Sequence, residues 1–424
     1  MKPKQLFHRD FTIMVAGQIM SLFGNSILRF ALSLYVLDLT GSAAVFGGIL
    51  ALSMIPTVLF SPVGGVLADR LPRARIMYCL DFATAALIAG FTVLFHASGS
   101  LSAITVVMML LAVIQSFYQP SVQASIPSIT ADEHLMAANG VVVQVQSLAT
   151  LVGPILGGFL YGYLGIFPIL WASAACFFCS AVMELFLRIP FVRLQRGGSP
   201  LHQIRADLGG ALSFLRRDNP QLLRLLIVIA GLNLFLSSFF AVGLPFLVRI
   251  HLGLSAQLNG FAEAALSLGS ILGGLLSGLV GARLGFHKSY VFLLGTAACL
   301  LPAAAAFALA LPALVCYGIL VGGLLVGMGC AVLFNIAAQT FMQQVTPNEM
   351  LGKVASFVSA ICICAYPIGQ SLYGLLLEGL KQHVWVVMVF VSAMGLILAL
   401  ATGRALRHVP QQPENGGNTA PKCI

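Results

Sequence analysis

The sequence predicts an all-α integral membrane protein whose twelve transmembrane helices form two pseudo-symmetric six-helix bundles. Three observations carry this. The 424 residues are 59% hydrophobic and only 8% charged, whereas a soluble chain carries roughly a quarter charged residues. The apolar stretches are continuous rather than alternating, which selects helices over a β-barrel. Landmarks in the first half recur in the second at a nearly constant offset. About 250 residues are apolar, and twelve spans of ~20 residues need about that many. The same arithmetic excludes a soluble enzyme, a nucleic-acid-binding domain and a disordered chain.

Apolar runs bounded by charges or turn residues place the spans of the first half at 11–37, 43–67, 76–96, 102–126, 139–163 and 167–188. Those of the second half fall at 222–247, 257–281, 289–310, 313–336, 353–377 and 384–403. Lys and Arg test the count. With Lys2, Lys4 and Arg9 inside, the inner segments also hold Arg70, Arg73, Arg75, the Arg188–Arg224 stretch, Arg283, Lys288, Lys353, Arg404, Arg407 and Lys422. The outer loops keep only Arg249 and Lys381. This asymmetry predicts a multi-pass cell-membrane protein with both termini in the cytoplasm. It also absorbs the net charge of +9 without a nucleic-acid partner.

The long inner connection divides the chain into an N-terminal bundle, 1–190, a linker, 191–220, and a C-terminal bundle, 221–403. In the linker, Leu201, Ile204, Leu208, Leu212 and Leu215 recur every three or four residues, which predicts an amphipathic helix along the inner membrane surface. Residues 404–424, with Pro410, Pro413, Gly416, Gly417 and Pro421, read as a disordered cytoplasmic tail. The first apolar run is too long for a signal peptide and no small-residue cleavage site follows it, so no cleaved leader is expected. The cysteines lie mostly in apolar spans, and no spacing suggests a disulfide or zinc site. No metal or cofactor is expected.

The halves repeat. Gly65-Val-Leu-Ala-Asp69-Arg70-Leu-Pro72-Arg73-Ala-Arg75 follows span two, and 213 residues later Gly278-Leu-Val-Gly-Ala282-Arg283-Leu-Gly285-Phe-His-Lys288 follows span eight. The same offset carries Pro154 onto Pro367. Two six-span repeats about an axis along the membrane normal are the build of an alternating-access transporter.

Over essentially its whole length the chain resembles the major facilitator superfamily. Gly65, Asp69, Arg70 and Arg73 match that family's Gly-x-x-x-Asp-Arg-x-Gly-Arg-Arg/Lys signature, with Pro72 in place of the glycine and the last base displaced to Arg75. A glycine there lets helices approach, and an acid at the membrane edge accepts bonds from free N–H groups at a neighbouring helix start. The resemblance implies that Asp69 docks against the start of span eleven and latches the inner side shut in the outward-open state. Asp81 is expected to support this latch by pairing with Arg70, Arg73 or Arg75, and Gly278 and Arg283 form its degenerate copy.

Span five carries Gly140, Ala149, Gly153-Pro154 and Gly157-Gly158. It resembles the antiporter motif Gly-x8-Gly-x3-Gly-Pro-x2-Gly-Gly, with Ala149 in the second glycine position, and so implies export. An Arg that related antiporters carry about nine residues before the proline that ends span four is missing: counting back from Pro120, that position is Leu111, and Gln115 is the nearest polar group. Among the branches the macrolide-efflux type is most similar, through Gly17-Gln18-x-x-Ser21-Leu22, the Thr40-Gly41-Ser42 turn, and Glu263 ten residues before Gly273-Gly274.

Ionisable groups inside spans cost ~2.5–3.5 kcal/mol each, so they are functional candidates by default. Arg29, with Gln18 and Asn25 on the same helical face, is expected to line a wet cavity. Glu263, about two turns into span eight, reads either as a proton carrier or as half of a fixed ion pair with Arg29 or Arg249. Glu184, four residues before Arg188, reads as a helix-surface pair. Gln115 and Asn233 are neutral cavity candidates. Without a Walker sequence, His-Glu-x-x-His or Gly-x-Ser-x-Gly, neither an ATP-driven pump nor a membrane hydrolase has residues to run on. The expectation is therefore a non-enzymatic secondary transporter, monomeric in the lipid bilayer. It would export an amphiphilic, drug- or macrolide-like small molecule by proton antiport with alternating access. A siderophore or lysophospholipid exporter on the same fold, or a non-transporting sensor or assembly factor, is the alternative.

Overall fold

The computed structural model describes residues 5–98, 100–190, 200–217, 219–284 and 288–406. Among these, every regular element is helical, and twelve helices are long and apolar enough to cross a membrane. Spans one to six are Arg9–Thr40, Ala43–Arg70, Arg73–Ser98, Leu101–Ile129, Leu135–Leu164 and Ile166–Glu184. Spans seven to twelve are Pro220–His251, Ala256–Leu284, Tyr290–Ala308, Ala313–Val345, Asn348–Gly379 and Val384–Leu406. Each coincides with one of the expected spans, several of them a turn or more longer.

Turn chemistry sets the joints. Gly41 closes span one at φ 57 with its N–H on the Leu37 carbonyl, a left-handed position that suits glycine. The next residue, Ser42, starts span two by accepting from the Val45 N–H at 3.3 Å. Prolines stand inside spans two, four, five and eleven without ending them, as membrane helices tolerate where neighbouring groups can re-satisfy a freed carbonyl. Span seven widens into π turns at Asn233–Ser237 and Phe246–His251. At the first, Ser238 Oγ donates to the Asn233 carbonyl and lies 2.8 Å from the Tyr366 carbonyl of span eleven.

Packing repeats as the sequence does. Span one packs on five and six, two on four, and three on six; seven packs on eleven and twelve, eight on ten, and nine on twelve. The halves meet where span two crosses eleven and span five crosses eight. The linker forms the expected helix, Pro200–Arg217, and packs against the bundle. Its Ala211 and Leu215 are fully buried against Leu222 and Leu225 of span seven and Val354 of span eleven. The side chains of Leu201, Ile204 and Leu208 and the residues 191–199 fall outside the described part. Span twelve continues to Leu406, so residues 404–406 are helical rather than tail; residues 407–424 fall outside the described part.

The two ends of the bundle differ. At the end opposite the termini, glycines let the halves touch: a Cβ on Gly47 would stand 2.6 Å from the Gln370 carbonyl, and one on Gly158 would stand 2.7 Å from the Ala256 carbonyl. At the termini end, spans two and eleven are separated by a cleft of about 840 Å³ between Ser61 and Pro62 on one side and Lys353 and Ser356 on the other.

Candidate functional site

Between the halves lies a cavity of about 760 Å³ to which both bundles contribute. Much of its wall is soft and apolar: Met54, Met108, Met328, Phe46 and Phe240. Its polar groups include Asn25, Ser26 and Arg29 of span one, Gln119 of span four, Gln146 of span five, Ser237 of span seven, Glu263 of span eight, and Tyr366 and Gln370 of span eleven. Flexible thioethers beside aromatic rings accommodate varied apolar shapes, while a few converging polar groups orient a ligand.

Three of the six expected cavity residues, Glu263, Arg29 and Asn25, line it. The other three do not. Gln18 is fully buried, two turns along span one from Asn25. Gln115 stands one turn before Gln119, which takes the place in the wall. Asn233 turns back on its own helix, its Nδ2 donating to the Ile229 carbonyl at 3.0 Å. Gln119 and Gln370, which line the cavity, are neutral amides like Gln115 and Asn233, and helical phase alone cannot tell a wall position from its neighbour one turn away.

Glu263 receives a bond from Asn259 Nδ2 at 3.2 Å, a partner on its own helix one turn earlier. The fixed ion pair, the alternative to a carrier role, is not formed: Arg249 is committed to Asp38 instead, and no ion pair joins Arg29 to Glu263 among the described residues. Arg29 and Glu263 thus face the same cavity, one cation and one acid, without neutralising each other.

Span five fits its motif at most positions. A Cβ on Gly153 would run into Ser26, whose hydroxyl donates to the Ala149 carbonyl at 3.0 Å; a Cβ on Gly157 would stand 2.8 Å from the Phe30 ring. Gly158, as above, faces span eight, and the Pro154 carbonyl opposes Gly260 of the same span. Gly140 departs from the pattern: it is exposed and has open space where a Cβ would go, so it marks no helix crossing.

The expected latch is corrected in three places. Gly65 and Gly278 have open space around them, and it is Gly64 that meets span four, at the Ser116 backbone. Arg73 donates to the Ala68 and Ala124 carbonyls at 3.0 and 2.6 Å and to Ser128 Oγ at 2.5 Å, tying the loop to the end of span four. Asp81 forms no ion pair with Arg70, Arg73 or Arg75 among the described residues; only 1% exposed, it accepts from Ser21 Oγ at 3.3 Å. Glu184 likewise forms no surface pair with Arg188. It is fully buried and accepts from the Tyr118 hydroxyl at 2.7 Å. The side chains of Asp69 and Arg283 fall outside the described part.

Two clasps join the halves at the end opposite the termini, and neither is visible in the sequence. Arg249 of span seven grips Asp38 of span one through two bonds, at 2.6 and 3.1 Å, while the Tyr161 hydroxyl of span five donates to the same carboxylate at 3.1 Å. Glu378 of span eleven accepts from Ser42 Oγ at 2.8 Å and pairs with Lys381 at 2.6 Å; Lys381 also reaches the Gly41 carbonyl at 3.3 Å. In the sequence, Arg249 and Lys381 are the two bases on the wrong side of the charge asymmetry, and nothing there pairs Arg249 with Asp38 or Lys381 with Glu378.

Comparison with known proteins agrees with this architecture. The model of the Major Facilitator Superfamily matches residues 14–365. Macrolide efflux protein A of Streptococcus pyogenes is 27% identical over 395 residues, covering 91% of this chain and 93% of that protein. The multidrug efflux pump Tap of Mycolicibacterium fortuitum is 26% identical over 380 residues, 85% of this chain and 87% of the other. Among solved structures, an inward-facing bacterial homologue of the iron transporter ferroportin superposes with a TM-score of 0.74 at 19% identity, covering 95% of this chain and 100% of that one.

Proposed function

The chain belongs to the major facilitator superfamily, and from that premise we propose that this multi-pass membrane transporter exports an amphiphilic, drug- or macrolide-like small molecule, driven by protons moving inward. The observation that carries the reading is Glu263, the sole acid among the residues lining the central cavity, held by neutral Asn259 and by no cation. The positive-inside pattern assigns the termini end to the cytoplasm. On this reading the cleft between spans two and eleven lies on the cytoplasmic side of the cavity, and the clasps close the outer side.

The cycle follows from competition at one carboxyl group. Facing the cytoplasm, Glu263 gives up its proton when an amphiphile enters, and the carboxylate attracts a basic or hydrogen-bond-donating substrate while the Met and Phe wall takes its apolar body. Rocking of the halves opens the clasped end and lets Asp69 close the inner one. Facing outward, Glu263 takes a proton, loses its hold on the substrate and releases it. The names of the relatives support macrolides and other drugs as cargo. An iron-type cargo has less to bind it: no group of three or more His, Cys, Asp or Glu side chains suited to a metal occurs among the described residues.

Inverted membrane vesicles with an acidic interior test this reading against a panel of macrolides and other amphiphiles. Uptake of at least one compound is expected, dependent on the pH gradient and abolished by a protonophore. Uptake of none, or uptake indifferent to the gradient, overturns it.

A further inference from the structure

Outside the cavity, the N-terminal bundle buries two acids together at the termini end. Asp81 of span three is 1% exposed and Glu184 of span six is not exposed at all. Ser180, one turn before Glu184, lies beside the Asp81 carboxyl, and both Ser180 and Glu184 face Gly17 of span one, where an added Cβ would stand 3.4 Å from Ser180 Oγ and 3.3 Å from Glu184 Cγ. Each acid has one oxygen occupied, Asp81 Oδ1 by the Ser21 hydroxyl and Glu184 Oε1 by the Tyr118 hydroxyl. The other two, Asp81 Oδ2 and Glu184 Oε2, are buried with no partner.

Among the described residues, no cation neutralises the pair. Arg73 is spent on the end of span four, and Arg188 points its side chain to the surface while its backbone N–H bonds Asp10. Span four offers the group only Tyr118. Span one has no titratable residue between Asp10 and Arg29, and its Arg29 lies two turns beyond Ser21, in the cavity wall. On span six the remaining titratable side chains are Cys176 and Cys179, and on span three beside Asp81 they are Tyr78 and Cys79. Two carboxylates left together in a low-dielectric interior repel each other and lose their water, so they cannot both stay charged.

A second observation points to a mobile ligand. Gln18, on span one between Gly17 and Ser21, is fully buried, and neither its amide nitrogen nor its amide oxygen has a partner. Two turns on, Asn25 Oδ1 is also buried and unpartnered, in the cavity wall. A row of unsatisfied polar atoms thus runs along one face of span one from the acid pair to the cavity, the kind of row that small polar species bridge.

We propose that Asp81 and Glu184 together form a proton-binding site in the N-terminal bundle, distinct from Glu263, in which one proton sits between Asp81 Oδ2 and Glu184 Oε2. The proton binds by an O–H bond to one carboxyl and a hydrogen bond to the other, and leaves as hydronium along span one. Its service in the transport cycle rests on the proton-driven reading above; its existence does not.

The test is infrared spectroscopy of the purified full-length protein in lipid nanodiscs at neutral pH, in a Glu263→Gln background that removes the cavity acid. A protonated-carboxyl band that responds to deuterium exchange is expected, shifted in frequency in Asp81→Asn and in Glu184→Gln and lost in the double variant. Absence of the band before the dyad is altered, or its survival in the double variant, overturns the site. Should the double variant fail to fold, the single variants decide, since an unmoved band in both rules the pair out. A band removed by sodium at constant pH shows a metal-cation site and overturns the proton. Proton-driven uptake by Glu184→Gln at the wild-type rate, with the wild-type band confirmed, leaves the site standing and removes it from the cycle.

Discussion

A carboxyl group that takes up and loses a proton in every cycle cannot also be held permanently by a cation, and the surroundings of Glu263 respect that rule. Its bonded neighbour is the amide of Asn259, and the arginine that might have captured it, Arg249, belongs to Asp38. Glu263→Gln should therefore leave expression and Tm close to wild type. Had the acid been half of a buried pair, stranding the cation would cost ~3–5 kcal/mol and Tm would fall visibly. Transport against a gradient should be abolished, while downhill exchange survives, because the amide imitates the protonated acid. A stable variant that still pumps uphill would remove Glu263 from the role. This residue was legible in the sequence, since an acid deep in an apolar run announces itself. Asp81 and Glu184 were misread: their nearby arginines in sequence suggested ion pairs, whereas their true neighbours, Ser21 and Tyr118, lie across helix interfaces that spacing along one helix does not reveal.

Span five shows the same division at the level of an element. Its glycine spacing was legible, but the neighbours of each glycine were not, and those neighbours give each position a different expected phenotype. Gly157→Leu should drive a branched side chain into the Phe30 ring, displace the cavity wall of span one and abolish transport. Gly140→Leu, pointing into open space, should transport normally; loss of activity there with normal expression would mean that the motif glycine serves another conformation. Vesicle uptake normalised to surface expression checks both. The number of spans was readable because lipid forces every backbone group into continuous helices and the bases mark alternate loops. The π turns of span seven were not readable: they lie within an unbroken apolar run, and the hydroxyl of Ser238 and the backbone of span eleven, which support the first, come from packing. The linker helix was likewise visible as an amphipathic pattern, but not its burial against spans seven and eleven.

For the whole molecule, the proposed alternating-access cycle makes the balance between the two ends decide which way the cavity faces, and the clasps would supply one arm of it. The side chains of Arg249 and Asp38 are 22% and 24% exposed and make two parallel bonds, so solvent screens the pair less than an ordinary surface bridge. Losing such charge-assisted bonds costs ~1.5–3 kcal/mol, and every ~1.4 kcal/mol is tenfold in an equilibrium constant. Asp38→Asn should therefore move the population about tenfold or more toward the state open at the clasped end, without unfolding either bundle, since each half keeps its own packing. Asp69→Asn should push the other way if Asp69 holds the termini end shut. Spin-label distances across the clasped end, one label per half, read both shifts. The decisive variant is the exchange Asp38→Arg with Arg249→Asp. It restores opposite charges across the same gap, so it should recover much of the closed population that either single change loses, at some cost from the carboxylate contact that Tyr161 makes. Recovery means that the attraction between the halves sets the balance. If the exchanged protein stays as open as the single variants, shape at this joint outweighs charge, and the glycine contacts of spans two and eleven and of five and eight hold the end closed by themselves.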